Sequence, residues 1–139
     1  MAAMSDDSTN PFKGLPLRGA RVLVVEDEYY IADDVRRELK AAGADVIGPV
    51  STVREARRVI DEGAFDCAVL DLNLHGESAL PLAERLMERG KAFAIATGYG
   101  SATIPASFEG VPRIEKPFDP PALLELVSKL RFARSDAAS

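Results

Sequence analysis

Cysteine and tryptophan are nearly missing from this chain, which has one Cys and no Trp among its 139 residues. A single thiol cannot close an internal disulfide, so a fold stapled by disulfides is excluded. Cys67 lies within the apolar run 67–70, where we expect a small core side chain and not a nucleophile. This cysteine usage is typical of the reducing cytoplasm, and we predict that location.

Long apolar segments and an excess of positive charge are also missing. No apolar stretch reaches the roughly 18 residues that a membrane-spanning helix needs. Near its start the chain carries Asp6 and Asp7 instead of the apolar core of a signal peptide. The net charge is -5, with 17 basic and 22 acidic residues, and no basic stripe is present to neutralise phosphates. We therefore predict neither a membrane nor a nucleic acid as a partner.

The chain does contain short apolar runs that end in reactive polar residues. Such runs, bounded by polar or turn residues, are typical of strands buried on both faces of a parallel sheet. The runs are 22–25 before Glu26 and Asp27, 67–70 before Asp71, 93–96 before Thr97, and the weaker 111–115 before Lys116. If the strands are parallel, their carboxyl ends bring these polar side chains to one edge of the sheet.

Helical patterns alternate with these strands, which predicts an α/β fold. We expect a flavodoxin-like, doubly wound, five-stranded parallel sheet of order 2-1-3-4-5. Glycines and Pro105 disfavour a regular helix between the last two strands, so the fourth helix should be short or distorted, at most 104–108. The expected domain spans 20–132. A mobile leader, 1–19, packing at most through Phe12 or Leu17, precedes it, and a flexible tail, 133–139, follows it.

Capping signals mark the expected helix ends. Thr52 and Glu55 have the spacing of a capping box, and Gly63 ends the same helix. The third helix is expected from about Ser78 to Arg89, and the last helix from an N-cap at Asp119. The predicted strands cover 21–25, 45–48, 66–70, 92–96 and 111–115.

Three carboxylates are expected to meet at the carboxyl edge of this sheet. The order 2-1-3-4-5 makes the first and third strands neighbours, about 4.8 Å apart, at the point where ligands bind in such sheets. Asp27 and Asp71 can then share one ion, and Glu26 adds to a repulsion that a divalent cation relieves. Carboxylates, a backbone carbonyl and waters describe a Mg²⁺ site, and we assign the carbonyl to Asn73.

A hydroxyl and an ammonium complete the expected crevice. Lys116 precedes a proline, which keeps it out of helical geometry and lets its ammonium reach Asp71. Thr97 ends the strand between them, where its hydroxyl can donate to a phosphoryl oxygen and Gly98 leaves space. Each residue alone also fits a cap, a turn or a solvated charge, so only their joint placement indicates a site. His75 is expected to be a loop residue and not a ligand or base.

The motifs around these residues closely resemble those of the receiver domain of bacterial two-component response regulators. They are Val-Val-Glu-Asp-Glu around Asp27, Val-Leu-Asp-Leu-Asn-Leu around Asp71, Ala-Thr-Gly around Thr97 and Glu-Lys-Pro-Phe around Lys116. The resemblance covers about 21–131. It implies that Asp71 accepts a phosphoryl group from a sensor histidine kinase or a histidine phosphotransfer protein, and that Thr97 and Lys116 bind its oxygens. The implied Mg²⁺ ligands are Glu26, Asp27, Asp71 and Asn73.

The stretch 93–100 is similar to the "FATGUY" subgroup of stand-alone receivers, with Ile95 at the usual Phe position. This resemblance implies a single-domain regulator with Thr97, Gly98 and Tyr99 at its switch and output region. Arg113 stands where the family has an aromatic switch residue, so the inward swing of a Tyr or Phe is not carried over. The signal is expected to leave through a downstream protein target or by onward phosphotransfer.

Three other classes of function fit parts of the pattern. A receiver-like adaptor that is not phosphorylated would use the fold alone, and the intact set of polar residues argues against it. A phosphohydrolase with an aspartyl phosphate typically needs an acid two residues after its nucleophile, where this chain has Asn73. A flavin binder would need a phosphate-cradling loop where acids 26–28 stand. We expect no enzyme beyond self-catalysed phosphotransfer and autodephosphorylation.

Overall fold

The computed structural model describes residues 15–98 and 104–133. Five parallel strands form one sheet, and two short antiparallel strands, β4 and β5, form a hairpin beside it. The strands are β1 Arg21–Val25, β2 Asp45–Val50, β3 Cys67–Asp71, β4 Asn73–Leu74, β5 Glu77–Ser78, β6 Ala92–Thr97 and β7 Arg113–Glu115. The helices are α1 Tyr29–Ala41, α2 Val53–Glu62, α3 Leu80–Glu88 and α4 Pro120–Phe132.

The strand order in the sheet is β2-β1-β3-β6-β7. With the hairpin strands left out of the count, this is the predicted order 2-1-3-4-5, so the α/β doubly wound fold is confirmed. The order places β1 beside β3, with Val25 opposite Leu70 in the register. The winding therefore reverses where these two strands meet, as the sequence predicted.

Both faces of the sheet are covered, which explains why its strands read as continuous apolar runs. In β1, Val22 and Val24 join a core cluster with side chains of α1 and α4. Leu23 and Val25 point to the other face and join a cluster with side chains of α2 and α3. Successive strand side chains alternate between faces, so burial on both faces requires an apolar residue at every position.

The predicted N-cap of α2 at Thr52 and its predicted end at Gly63 are confirmed. The Thr52 hydroxyl oxygen accepts a hydrogen bond from the Glu55 backbone N–H at 3.1 Å, and Gly63 ends the helix with a φ of 71°. In α4, Asp119 does occupy the N-cap position, but its side chain makes no capping hydrogen bond. The start of α4 is therefore set by Pro120 at the first helical position.

Several predicted element bounds are wrong. β2 continues to Val50 and not only to 48, β3 covers Cys67–Asp71 and not 66–70, and β6 ends at Thr97 and not at 96. Helix α3 begins at Leu80 and not near Ser78, because Ser78 is held in the hairpin strand β5. The last strand begins at Arg113 and not at 111, since Val111 instead closes the preceding turn through a hydrogen bond to Phe108. The predicted short fourth helix is a single 3₁₀ turn, Ala106–Phe108, within the described residues.

The segment before β1 packs against the amino edge of the sheet. Leu17 is fully buried, and its N–H donates to the Ala42 carbonyl at 2.9 Å. The guanidinium of Arg131 donates to the Pro16 carbonyl at 3.1 Å. Residues 15–19 of the predicted leader are thus packed through Leu17, while residues 1–14 and 134–139 lie outside the described part. None of the helices described is both long and apolar enough to span a bilayer.

Candidate functional site

Three carboxylates converge at the carboxyl edge of the sheet. Glu26 and Asp27 directly follow β1, and Asp71 is the last residue of the neighbouring strand β3. One carboxylate oxygen from each lies within 4.8 Å of the others. Glu26 and Asp71 are buried, whereas Asp27 is partly exposed. The predicted meeting of these acids is therefore observed, and it follows from the pairing of β1 with β3.

Lys116 reaches this cluster from the far side of β6. Its backbone N–H donates to the Thr97 carbonyl at 2.8 Å, which fixes the chain just beyond the end of β7. Its Nζ lies 2.9 Å from Asp71 Oδ2 and 3.0 Å from Glu26 Oε1. The Lys116 side chain is only 9% exposed. The peptide bond to Pro117 is cis.

The charges in this crevice are out of balance. Burial and the charge of the nearby Asp71 carboxylate raise the pKa of Glu26 to about 7, against the lowering effects of the Glu28 N–H and of Lys116. Burial by itself lowers the pKa of Lys116, but its hydrogen bonds to Asp71 and Glu26 outweigh this and leave the pKa raised. An ammonium that stays charged among several acids still leaves an excess of negative charge, which favours a bound cation.

The donor set fits a hard divalent cation. Glu26, Asp27 and Asp71 offer carboxylate oxygens, which Mg²⁺ prefers as protein ligands. Burial by itself would raise the pKa of Asp27, but the hydrogen bond from the His75 N–H helps to outweigh it and leaves the pKa lowered. This carboxylate is therefore ionised at neutral pH. The cluster is therefore able to hold a metal ion of this class. That the Asn73 carbonyl is a further ligand stays a prediction.

The hairpin of β4 and β5 holds two of these acids in place, and no pattern in the sequence predicted this hairpin. The Asn73 N–H donates to Asp71 Oδ1 at 3.0 Å, and the Asn73 side-chain oxygen accepts from the Gly76 N–H at 2.9 Å. At the tip, His75 has a φ of 54°, and its N–H donates to Asp27 Oδ2 at 2.8 Å. His75 lies in the loop, as predicted, and it contacts Asp27 through its backbone.

Glu28 is a fourth acid that the sequence analysis did not assign to the site. Its Oε1 lies 3.1 Å from Lys116 Nζ. The signal was present, because Glu28 extends the acidic run that follows β1. The sequence could not show that its side chain turns toward Lys116.

The remaining predicted site residues lie around this centre. Thr97 ends β6, and its hydroxyl lies 3.5 Å from the Ile114 carbonyl, at the limit of a hydrogen bond. Gly98 is exposed, and a Cβ built on it would meet nothing within 4 Å. Arg113 is exposed on β7, the last strand of the sheet. Tyr99 lies outside the described residues.

The chain is similar to known proteins over most of its length. A family model described as the response regulator receiver domain matches residues 22–128. The regulatory protein VanR of Enterococcus faecium is 31% identical over 116 residues, which is 80% of this chain and 48% of that protein. The chain thus spans about half the length of this curated relative.

Alignments of this chain with two solved structures cover nearly the whole of those two chains. The solution structure of SdrG from Sphingomonas melonis Fr1 is 33% identical, with a TM-score of 0.72 over 83% of this chain and 97% of that one. The BeF₃-activated conformation of SdrG from Pseudomonas melonis Fr1 is 32% identical, with a TM-score of 0.67 over 84% of this chain and 98% of that one.

Proposed function

This chain belongs to the response regulator receiver domain family, and from that premise we propose that it is a Mg²⁺-dependent phosphoacceptor whose acceptor residue is Asp71. Receiver domains act as phosphoacceptors in two-component signalling and are generally not classical enzymes. In this proposal the phosphoryl group comes from a sensor histidine kinase or a histidine phosphotransfer protein. The protein acts in the bacterial cytoplasm.

One observation carries the proposal. The Asp71 carboxylate lies between the Lys116 ammonium, 2.9 Å from Oδ2, and the Asn73 N–H, 3.0 Å from Oδ1. Glu26 and Asp27 stand close enough to share a cation with it. A carboxylate held from two sides beside a cation site is a positioned nucleophile, and phosphoryl transfer requires little beyond positioning and neutralisation of charge.

In the proposed step, an Asp71 oxygen forms a bond to phosphorus while the P–N bond of the donor phosphohistidine breaks. The electron pair of that bond goes to the imidazole nitrogen, which then takes up a proton. Mg²⁺, when bound, supplies positive charge that offsets the phosphoryl oxygens. Lys116 also supplies positive charge to these oxygens, as a hydrogen-bond donor. Attack of water on the phosphorus of the acyl phosphate later breaks the bond to Asp71, which restores the carboxylate and releases inorganic phosphate.

The readout of this step is assigned to the end of β6. A phosphoryl group brings nearly two negative charges and new acceptor oxygens. Thr97 follows Ala96, the register partner of Asp71, and its hydroxyl is only weakly held, so it is assigned to turn toward them. The open space at Gly98 gives the backbone room to move. We assign the output surface to Thr97, Gly98, Tyr99 and Arg113. The signal then passes to a downstream protein by contact or by onward phosphotransfer.

The acceptor assignment is tested by an Asp71→Asn variant, incubated with acetyl phosphate and Mg²⁺ and resolved on a phosphate-affinity gel. Wild type should show a slower, phosphorylated band, which the variant and the wild type in EDTA should both lack. Asp66→Asn is a matched control, because it replaces an aspartate next to the other end of β3, and it should label like wild type. Equal labelling of wild type and Asp71→Asn would remove Asp71 as the acceptor.

A further inference from the structure

The Glu28 side chain does not cap the helix that starts after it. Glu28 is the N-cap residue of α1, yet its side chain makes no capping hydrogen bond, and the first turn of α1 carries no other acid. Its carboxylate instead turns toward the crevice, with Oε1 at 3.1 Å from Lys116 Nζ. The side chain remains 47% exposed. An acidic N-cap would ordinarily stabilise the helix terminus, so its inward orientation reflects the attraction of Lys116.

The contact with Glu28 completes the coordination of Lys116. An ammonium has three N–H donors. Lys116 Nζ lies 2.9 Å from Asp71, 3.0 Å from Glu26 and 3.1 Å from Glu28, so three carboxylates engage it. A phosphoryl oxygen that arrives at Asp71 therefore finds every donor of Lys116 already in use. One of the three carboxylates has to give up its hydrogen bond.

Burial decides which carboxylate leaves. The side chains of Glu26 and Asp71 are 3% and 10% exposed, whereas that of Glu28 is 47% exposed. A carboxylate that loses its partner inside the protein pays a large desolvation penalty, but one at the surface is rehydrated by water. Glu28 also borders a cavity of about 420 Å³ that Lys116, Gly98 and Phe118 line, which gives its side chain room to turn away.

We propose that Glu28 is a positioning residue that holds Lys116 in the resting state and competes with the phosphoryl group for it. This inference rests on the proposed function and concerns the regulation of the same site. Phosphorylation displaces Glu28 from Lys116 into the adjoining cavity. The occupancy of the phosphorylated state thus depends on an acid that is neither the acceptor nor a member of the metal cluster.

The probe for this competition is BeF₃⁻ binding in the presence of Mg²⁺, measured by ¹⁹F NMR or calorimetry. Glu28→Gln should bind BeF₃⁻ roughly threefold to fivefold more tightly than wild type, the effect of removing one competing ion pair at a partly exposed position. Glu84→Gln is the matched control, since it removes the same charge from an exposed position on α3, and it should bind like wild type.

Glu28→Asp separates contact from charge. This variant keeps the negative charge but shortens the side chain, so it should lose its reach to Lys116 and also bind BeF₃⁻ more tightly than wild type. Mg²⁺ affinity without BeF₃⁻ should not rise in either variant, which excludes tighter metal binding as the cause. Circular dichroism spectra that match wild type ensure that folded protein is compared.

Three results have distinct meanings. If Glu28→Gln binds BeF₃⁻ no more tightly than wild type and Glu84→Gln, the competition does not exist. If Glu28→Gln binds more tightly but Glu28→Asp behaves like wild type, Glu28 acts through its charge and does not hold Lys116, which also overturns the inference. If wild type itself fails to bind BeF₃⁻ with Mg²⁺, the proposed function fails, and the inference falls with it.

Discussion

The two edges of the central sheet treat charge in opposite ways. At the amino edge, Asp66 accepts a hydrogen bond from the Arg21 N–H at 2.8 Å and lies 3.3 Å from its guanidinium. Acid and base are matched there one to one. At the carboxyl edge, Lys116 faces three carboxylates, and Asp27 adds a fourth acid to the crevice.

The pKa values follow this difference. Burial by itself would raise the pKa of Asp66, but the hydrogen bonds from Arg21 outweigh it and leave the pKa lowered. Burial and Asp71 together raise the pKa of Glu26 to about 7. Ionisation of Asp66 at the amino edge thus stabilises the fold, whereas ionisation of Glu26 at the carboxyl edge destabilises it. The comparison indicates that the edge proposed to carry function is also the edge where the fold gives up stability.

The largest change in stability is expected from the amino edge, where Leu17 joins the core with Leu39 and Leu130. Leu17→Ala should lower the free energy of unfolding by about 2–4 kcal/mol, because it removes a fully buried side chain and leaves a cavity. Urea denaturation measures this change in the free energy of unfolding. Leu124→Ala, at a partly buried position, is the control and should have a smaller effect. Folded Leu17→Ala should still be phosphorylated. If folded variant protein lost labelling, the amino edge would affect phosphorylation as well as stability, which would contradict the comparison.

A gain in stability is expected from the carboxyl edge. In EDTA, Glu26→Gln should raise the free energy of unfolding at pH 8 by about 1–3 kcal/mol, because it removes a buried charge that the fold disfavours. The raised pKa means that Glu26 is no burden below about pH 4.5 and becomes one as the pH rises through about 7. The advantage of the variant should therefore shrink at pH 5. Equal gains at both pH values would show that ionisation of Glu26 is not the cause.

The smallest effect is expected from the matched pair at the amino edge. Asp66→Asn should lower the free energy of unfolding at pH 7 by only about 0.5 kcal/mol, because the Asp66 side chain is 36% exposed and water screens the pair. The lowered pKa of Asp66 places this stabilisation above about pH 4, and it is lost as the pH falls further. Urea denaturation at pH 7 and pH 3.5 should give a larger difference from wild type at pH 7 than at pH 3.5. If Asp66→Asn were more stable than wild type at pH 7, the charge of Asp66 would destabilise the fold as that of Glu26 does, which would contradict the comparison.

Most of the sheet could be predicted because its signals are local. Strand β1 has its predicted bounds, and the limits of α2 follow from Thr52 and Gly63, whose capping roles are fixed by their own chemistry. The hairpin of β4 and β5 could not be predicted, since strands of two residues show no periodicity. It matters for the site all the same, because its backbone orients Asp27 and Asp71.

The sequence by itself determined which chemical groups stand at the ends of the parallel strands, because alternation of apolar runs and helices leaves few sheet orders. That was sufficient to bring Glu26, Asp27, Asp71 and Lys116 together. Only the tertiary structure decided how those groups share their hydrogen bonds. The direction of the Glu28 side chain depends on an ammonium 88 residues away in the chain, and no local pattern encodes a competition between several acids for one donor.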